Sequence, residues 1–179
     1  MHKIAASGFT LAEMLITITI LGILAAAAIP LLSANDPQKL SVAAEETANT
    51  LRFALREAKR SGGYVLVDGE TTSGQLKFYT SNASATVGAA VVDPLTKRAM
   101  ILNMNSSVFS AGVILSPQFN STGGPDAGIL IGPGLSQIQT IKNGSPVSAL
   151  QANSGVLLSY GAQSVTVNIN EITGLVTLP

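Results

Sequence analysis

The sequence SGFTLAEMLITITILGILAAAAIPLL, at residues 7–32, decides how the chain is organised. From residue 14 to residue 32 the only side chains with polar atoms are Thr17 and Thr19. This run of about 19 residues would extend about 28 Å as a helix, which is enough to cross the hydrocarbon core of a bilayer. Because a short, weakly basic lead precedes the run, the positive-inside rule predicts a cytoplasmic N-terminus. Everything after residue 32 then lies on the other side of the membrane.

Glu13 stands at the start of this apolar run. An ionised carboxylate near the centre of a bilayer costs about 2.5–3.5 kcal/mol, so a carboxylate at this position is a candidate functional group. A cut between Gly8 and Phe9 would place a new α-amino group one helical turn before Glu13, and the same amine on a neighbouring subunit would neutralise the carboxylate. The alternative is that headgroups simply solvate Glu13 at the membrane surface.

The order Gly8-Phe9-Thr10-Leu11-Ala12-Glu13, followed at once by an apolar helix, resembles the class III signal of type IV pilins and type II secretion pseudopilins. The resemblance implies that a prepilin peptidase cuts after Gly8 and methylates the amine of Phe9. It also implies that Glu13 sets the register of subunits in a filament. The implied partners are other pilin or pseudopilin subunits, the peptidase, an assembly platform in the inner membrane, and membrane lipid before assembly.

A second interpretation of the same run remains open. Ala26-x-Ala28 has the small-residue pattern of a secretory signal cleavage site. Cleavage there would release a secreted β-rich protein. This interpretation explains the apolar run, but it leaves the Phe-Thr-Leu-x-Glu order unexplained.

The composition excludes several classes of function. The chain of 179 residues has zero formal charge, only 11% charged residues, and neither cysteine nor tryptophan. We therefore expect no disulfide, no thiolate metal site and no broad basic surface for nucleic acid. The lack of cysteine departs from many major pilins, whose C-terminal loop is closed by a disulfide.

A second helix is predicted directly after the apolar run. Asp36-Pro37 has the residue types of a helix start, and Gly62-Gly63 those of a helix end. Between them the apolar residues follow helical spacing, in one narrow stripe: Leu40, Ala44, Ala48, Leu51, Leu55 and Ala58. The two segments together predict one long N-terminal helix with an irregularity between Pro30 and Pro37. Its first half lies in lipid and its second half packs on a globular domain.

The rest of the chain has the pattern of strands and turns. The segments predicted as strands are 64–68, 76–79, 99–102, 113–115, 128–131, 137–141, 156–159, 165–169 and 175–178. Residues 81–90 and 120–128 have loop composition. The predicted fold class is α+β, with a long N-terminal helix on an antiparallel β-sheet domain. The predicted segments are a leader at 1–8, a transmembrane and filament-core helix at 9–32, the second half of the helix at 33–62, and a β-rich domain at 63–179.

Shorter matches narrow the resemblance to one group. The sequence LRFALREAKR at 51–60, followed by YVL at 64–66, is similar to the passage from helix to first strand in the GspH/FimT group of minor pseudopilins and minor pilins. VIL-x-P at 113–117 with STGG at 121–124 is similar as well, and so is the closing pair of strands with a TG turn at 173–174. Asn120 stands where that group usually has glycine. The resemblance implies a long helix packed against antiparallel sheets.

Neither a catalytic nor a cofactor site is predicted. His2 is the only histidine and lies in the leader, so we expect no enzyme activity and no cofactor. The turn carboxylates lack the ligand spacing of a calcium loop. They are Asp68, Glu70, Asp93 and Asp126.

Four basic residues cluster near the end of the second helix: Arg52, Arg56, Lys59 and Arg60. They are interpreted as a solvated face that complements the helix dipole. The alternative is contact with DNA phosphates, as in a few minor pilins of the group that the chain resembles.

The leading functional hypothesis is thus a minor pseudopilin of a type II secretion system. It would be a single-pass inner-membrane protein with a periplasmic globular domain that assembles into a periplasmic filament. A minor type IV pilin, with a role as DNA receptor in uptake, and a secreted β-rich protein are the alternatives.

Overall fold

Two helices open the part of the chain that the computed structural model describes, which comprises residues 10–32, 36–69, 74–133 and 138–178. Helix α1 spans Leu11–Leu32 and helix α2 spans Asp36–Ser61. The chain divides into two compact units, Met1–Asn35 and Asp36–Pro179, so α2 belongs with the strands and α1 forms a unit of its own. The predicted irregularity between Pro30 and Pro37 includes residues 33–35, which lie outside the described residues.

Helix α2 buries the predicted apolar stripe. All six of its predicted residues are buried: Leu40, Ala44, Ala48, Leu51, Leu55 and Ala58. Ala43, Ala54 and Thr47 widen the buried face, and the Thr47 hydroxyl donates a hydrogen bond of 2.7 Å to the carbonyl oxygen of Ala43. The helix ends where Gly62 takes a φ of 65°, the left-handed conformation that glycine adopts without steric cost.

Eleven strands follow within the described residues. They are β1 (Tyr64–Asp68), β2 (Gln75–Ser81), β3 (Ile101–Asn103), β4 (Ile114–Ser121), β5 (Gly124–Asp126), β6 (Gly128–Ile131), β7 (Ile138–Lys142), β8 (Ser145–Ala149), β9 (Ser154–Tyr160), β10 (Gln163–Ile169) and β11 (Val176–Thr177). Every predicted strand has a counterpart among them, and a short 3₁₀ turn at Met104–Ser106 separates β3 from the rest. The predicted α+β class is therefore confirmed.

The strands form two antiparallel sheets. A six-stranded sheet has the order β3-β2-β1-β6-β7-β8, and a five-stranded sheet has the order β11-β10-β9-β4-β5. Helix α2 packs on both sheets, on β9 and β10 of one and on β1 of the other. The core therefore lies between the helix and the inner faces of the sheets, where Phe78 and Phe119 are fully buried.

Two strands, β5 and β8, were not predicted from the sequence. The segment interpreted as a loop at 120–128 instead contains the end of β4, the turn and all of β5, and Asn120 pairs with Pro125 in this hairpin. Strand β5 consists of a glycine, a proline and an aspartate, and β8 is an edge strand whose side chains alternate between exposed and half-buried. Neither strand has the apolar run by which a strand is recognised, and Pro146 is tolerated in β8 because the strand lies at an edge.

Candidate processing and assembly site

The residues that the sequence predicts for processing are only partly within the described structure. Gly8 and Phe9 lie outside the described residues, so cleavage and methylation there stay predictions. Glu13 lies in the first turn of α1.

Thr10 and Glu13 together cap the N-terminus of α1. The backbone N–H of Thr10 donates to Oε2 of Glu13 at 2.9 Å, and the backbone N–H of Glu13 donates to Oγ1 of Thr10 at 3.3 Å. The Thr10 hydroxyl also donates to the same carboxylate oxygen at 2.9 Å. This reciprocal arrangement is a capping box, which satisfies backbone donors that the first turn of a helix leaves free.

The capping box gives Thr10 a role that sequence reasoning missed. The signal was present, because Thr-x-x-Glu directly before an apolar run is the sequence pattern of a capping box. Glu13 thus has a partner within its own chain. The predicted pairing with a neighbour's Phe9 amine is a separate interaction, and it stays a prediction.

From residue 11 to residue 26, where its side chains are described, helix α1 presents apolar side chains on all its faces. Its exposed large apolar side chains are Leu11, Met14, Leu15, Ile16, Ile18, Ile20, Leu21, Ile23 and Leu24. The two threonines add no free polar group, since the hydroxyls of Thr17 and Thr19 donate to the carbonyl oxygens of Met14 at 2.8 Å and Leu15 at 2.6 Å. A helix that is apolar on every face is stable only when something other than water surrounds it.

The basic cluster on α2 is largely engaged within the domain. The guanidinium of Arg52 donates to the carbonyl oxygen of Val176 in β11 at 2.9 Å, and Nε of Arg56 donates to the carbonyl oxygen of Arg52 at 3.2 Å. Arg60 pairs with Glu57, with Nε 2.8 Å from a carboxylate oxygen. This hydrogen bond lowers the pKa of Glu57 and raises that of Arg60. Arg52 thereby joins α2 to β11, whereas Arg56 and Arg60 make exposed hydrogen bonds within their own helix.

A metal site is not formed by the side chains within the described ranges, where no three carboxylate or imidazole groups come together. Asp93 instead organises its own turn, accepting hydrogen bonds from the backbone N–H of Leu95 at 2.9 Å and the hydroxyl of Thr96 at 2.8 Å. His2 and Glu70 lie outside the described residues. Asp126 is buried, and its Oδ2 atom accepts no hydrogen bond from the described part of the chain.

Comparison with known protein families matches residues 5–29 to the family described as the prokaryotic N-terminal methylation motif. No curated protein and no solved structure matched the chain. Among the helices within the described residues, none is both long enough and apolar enough to cross a membrane. The matched segment contains Gly8, Phe9, Thr10 and Glu13, and this motif is the signal of type IV pilins and pseudopilins that prepilin peptidase processes. The motif and the α+β architecture together support the pilin-like family for this chain.

Proposed function

We propose that this chain is a structural subunit, not an enzyme, and specifically a minor pseudopilin of a type II secretion system. It is inserted once in the inner membrane, with a cytoplasmic N-terminus and a periplasmic domain. Prepilin peptidase cuts it after Gly8 and methylates Phe9, and the product joins a periplasmic filament. The observation that carries this proposal is the methylation motif at residues 5–29. The apolar run that continues to residue 32 supports the membrane placement.

The mechanism is assembly, and the apolar surface of α1 drives it. Before assembly, lipid surrounds the helix, and in the filament the same helix of other subunits replaces the lipid. Both surroundings keep water away from the apolar side chains, which cover every face of the helix. The inner-membrane assembly platform acts when the subunit moves from the bilayer into the filament.

Glu13 gives the assembly its register in this proposal. In a filament core, an ionised Glu13 is stable only where the Phe9 amine of a neighbouring subunit lies against it. Any other axial position would leave an unpaired charge in an apolar surrounding. The capping box orients the carboxylate at the helix N-terminus, because its Oε2 atom is already held by Thr10.

The assignment to the GspH/FimT group rests on the architecture of the domain and on short sequence matches. Helix α2 packs on two antiparallel sheets, and the matched sequence at 51–60 forms its C-terminal half. A minor type IV pilin that binds DNA is less well supported, because hydrogen bonds within the chain engage Arg52, Arg56 and Arg60.

The proposal is tested by the mass of the processed protein. We expect a mature chain that starts at Phe9 and carries one methyl group on its amine. Gly8→Val should block processing, because a branched side chain would crowd the peptidase site. Ala28→Val is the matched control, since it makes the same kind of change at the competing secretory site. A mature chain that begins after Ala28, lost in Ala28→Val and kept in Gly8→Val, would refute the proposal.

A further inference from the structure

The turn between β7 and β8 contains the only Asn-Gly pair in the sequence, Asn143-Gly144. Strand β7 ends at Lys142 and β8 begins at Ser145, and these two residues pair across the hairpin. Both turn residues have a positive φ, 50° at Asn143 and 74° at Gly144, which is the conformation of a type I′ turn. The pair therefore closes a two-residue hairpin.

The surroundings of this turn leave its two residues open to reaction. Asn143 and Gly144 are both exposed. Apart from the adjoining residues, no atom of the described chain lies within 4 Å of the position that a Cβ at Gly144 would take. Glycine also has no side chain of its own to shield its backbone nitrogen. Steric hindrance therefore does not keep the Gly144 nitrogen from the side-chain carbon Cγ of Asn143.

We propose that Asn143 is a site of spontaneous deamidation. The Gly144 nitrogen attacks Cγ of Asn143 and forms a new C–N bond, and the side-chain nitrogen leaves as ammonia with the proton of the Gly144 amide. Water then opens the resulting succinimide ring. Opening at Cγ gives aspartate, and opening at the main-chain carbonyl carbon gives isoaspartate, in which the backbone runs through the side chain.

Ring closure requires the hairpin to open, because the paired turn restricts rotation about the Cα–C bond of Asn143. Strand β8 can open at low cost. It lies at the edge of the six-stranded sheet, and none of its side chains is fully buried. Pro146 has no N–H to donate to β7, and the pairing register shifts between Gln139 and Ile141. Edge elements with few buried contacts open locally without global unfolding, so the reaction proceeds from this locally open state.

The two products affect the hairpin differently. Aspartate adds one negative charge, next to Lys142, to a chain whose formal charge is zero. Isoaspartate adds a methylene group to the backbone of the turn. Because the length of the turn fixes the register of a hairpin, the pairing of Lys142 with Ser145 cannot be kept in that product. Formation of isoaspartate therefore loosens β8 from β7.

The experiment follows the full chain in detergent micelles during incubation at mildly alkaline pH, which favours loss of the Gly144 amide proton. Peptide mass spectrometry locates the change from asparagine to aspartate or isoaspartate, and isoelectric focusing detects the added charge. Asn143→Asp is the charge standard, because it carries the product charge and cannot deamidate at this position. We expect the wild type to gain an acidic form that migrates with Asn143→Asp and carries the mass change at residue 143.

Asn153 is a matched control within the same chain. It is also exposed and has a φ of 58°, but the residue that follows it is the fully buried Ser154. The hydroxyl of Ser154 donates to the carbonyl oxygen of Gln151 at 2.6 Å and accepts from the backbone N–H of Asn120 at 2.8 Å. We therefore expect Asn153 to stay intact while Asn143 reacts. Equal rates at the two positions would refute the role of Gly144.

Denaturant separates local opening from global unfolding. Below the unfolding transition, local opening of β8 exposes little surface, so the rate at Asn143 should stay nearly constant as denaturant is added. A reaction through the globally unfolded chain would instead accelerate about tenfold for each 1.4 kcal/mol of stability removed, and this result would overturn the local route. If Asn143 stays unmodified in the native chain while the fully denatured chain deamidates there, the native site is refuted.

Discussion

Replacing Glu13 by alanine removes two interactions that can be separated by experiment. The first is the capping box, in which Oε2 of Glu13 accepts from the backbone N–H and the hydroxyl of Thr10, both at 2.9 Å. Loss of such a cap costs about 0.5–2 kcal/mol. The second is the proposed pairing with the Phe9 amine of a neighbour. Removing one partner of a buried ion pair costs about 3–5 kcal/mol, because the other charge is stranded.

These magnitudes predict different losses of assembly. The capping box lies within one chain, so its free energy is largely shared by the stored and the assembled subunit, and its loss lowers the filament equilibrium by at most about 30-fold. Loss of the pair, which exists only in the filament, lowers it by at least about 100-fold. Glu13→Gln retains the acceptor for the Thr10 N–H and removes the charge. Thr10→Val keeps the side-chain volume and the charge of Glu13, but removes the hydroxyl. We expect assembly to decline in the order wild type, Thr10→Val, Glu13→Gln, Glu13→Ala.

The assay compares processed protein in membrane and sheared-filament fractions for each variant. All variants should insert and be cleaved, since headgroups reach both the amine and the carboxylate in the stored subunit. If Glu13→Ala enters filaments as well as the wild type does, the charge pairing is wrong. If Thr10→Val is as impaired as Glu13→Ala while Glu13→Gln assembles normally, the carboxylate acts only through the cap.

Two further predictions concern the domain. Gly155→Ala should lower the free energy of unfolding by about 1–3 kcal/mol, because the added Cβ would overlap the carbonyl oxygen of Val167 in the neighbouring strand. Denaturant unfolding should detect no such loss for Gly123→Ala, where the nearest atom to the added Cβ, Oγ of Ser121, is 4.0 Å away. Hydrogen bonds from Leu95 and Thr96 lower the pKa of Asp93 in the native state. The stability that these hydrogen bonds contribute is therefore fully present above the unfolded pKa of about 3.9. It is lost as the pH falls through the lower native pKa. Asp93→Asn should therefore flatten the dependence of unfolding on pH below about pH 4, and an unchanged profile would contradict this assignment.

Features with a local physical cause were predictable from the sequence. The stripe from Leu40 to Ala58 indicated the buried face of α2, because apolar residues at helical spacing share one side of a helix. The alternation in β10 and the apolar run of β6 indicated strands for the same kind of reason. The methylation motif, too, is a contiguous stretch, and the family comparison matches it as such. The Thr10–Glu13 cap could also have been predicted from the sequence, since its two residues are only three positions apart.

Only the tertiary structure decided how distant segments meet. The order of the strands in the two sheets places β6 beside β1 and β9 beside β4. Nothing in the local pattern of either member specifies such a pair. Arg52 belongs to a basic cluster in the sequence, yet its guanidinium binds the carbonyl oxygen of Val176 in the last strand. Likewise Phe109 is an apolar residue that is exposed, while the neighbouring Ser110 is buried and donates a hydrogen bond to Glu46 of α2. Pairings of this kind form when helices and strands that lie far apart in the sequence bury their apolar faces against one another in a common core.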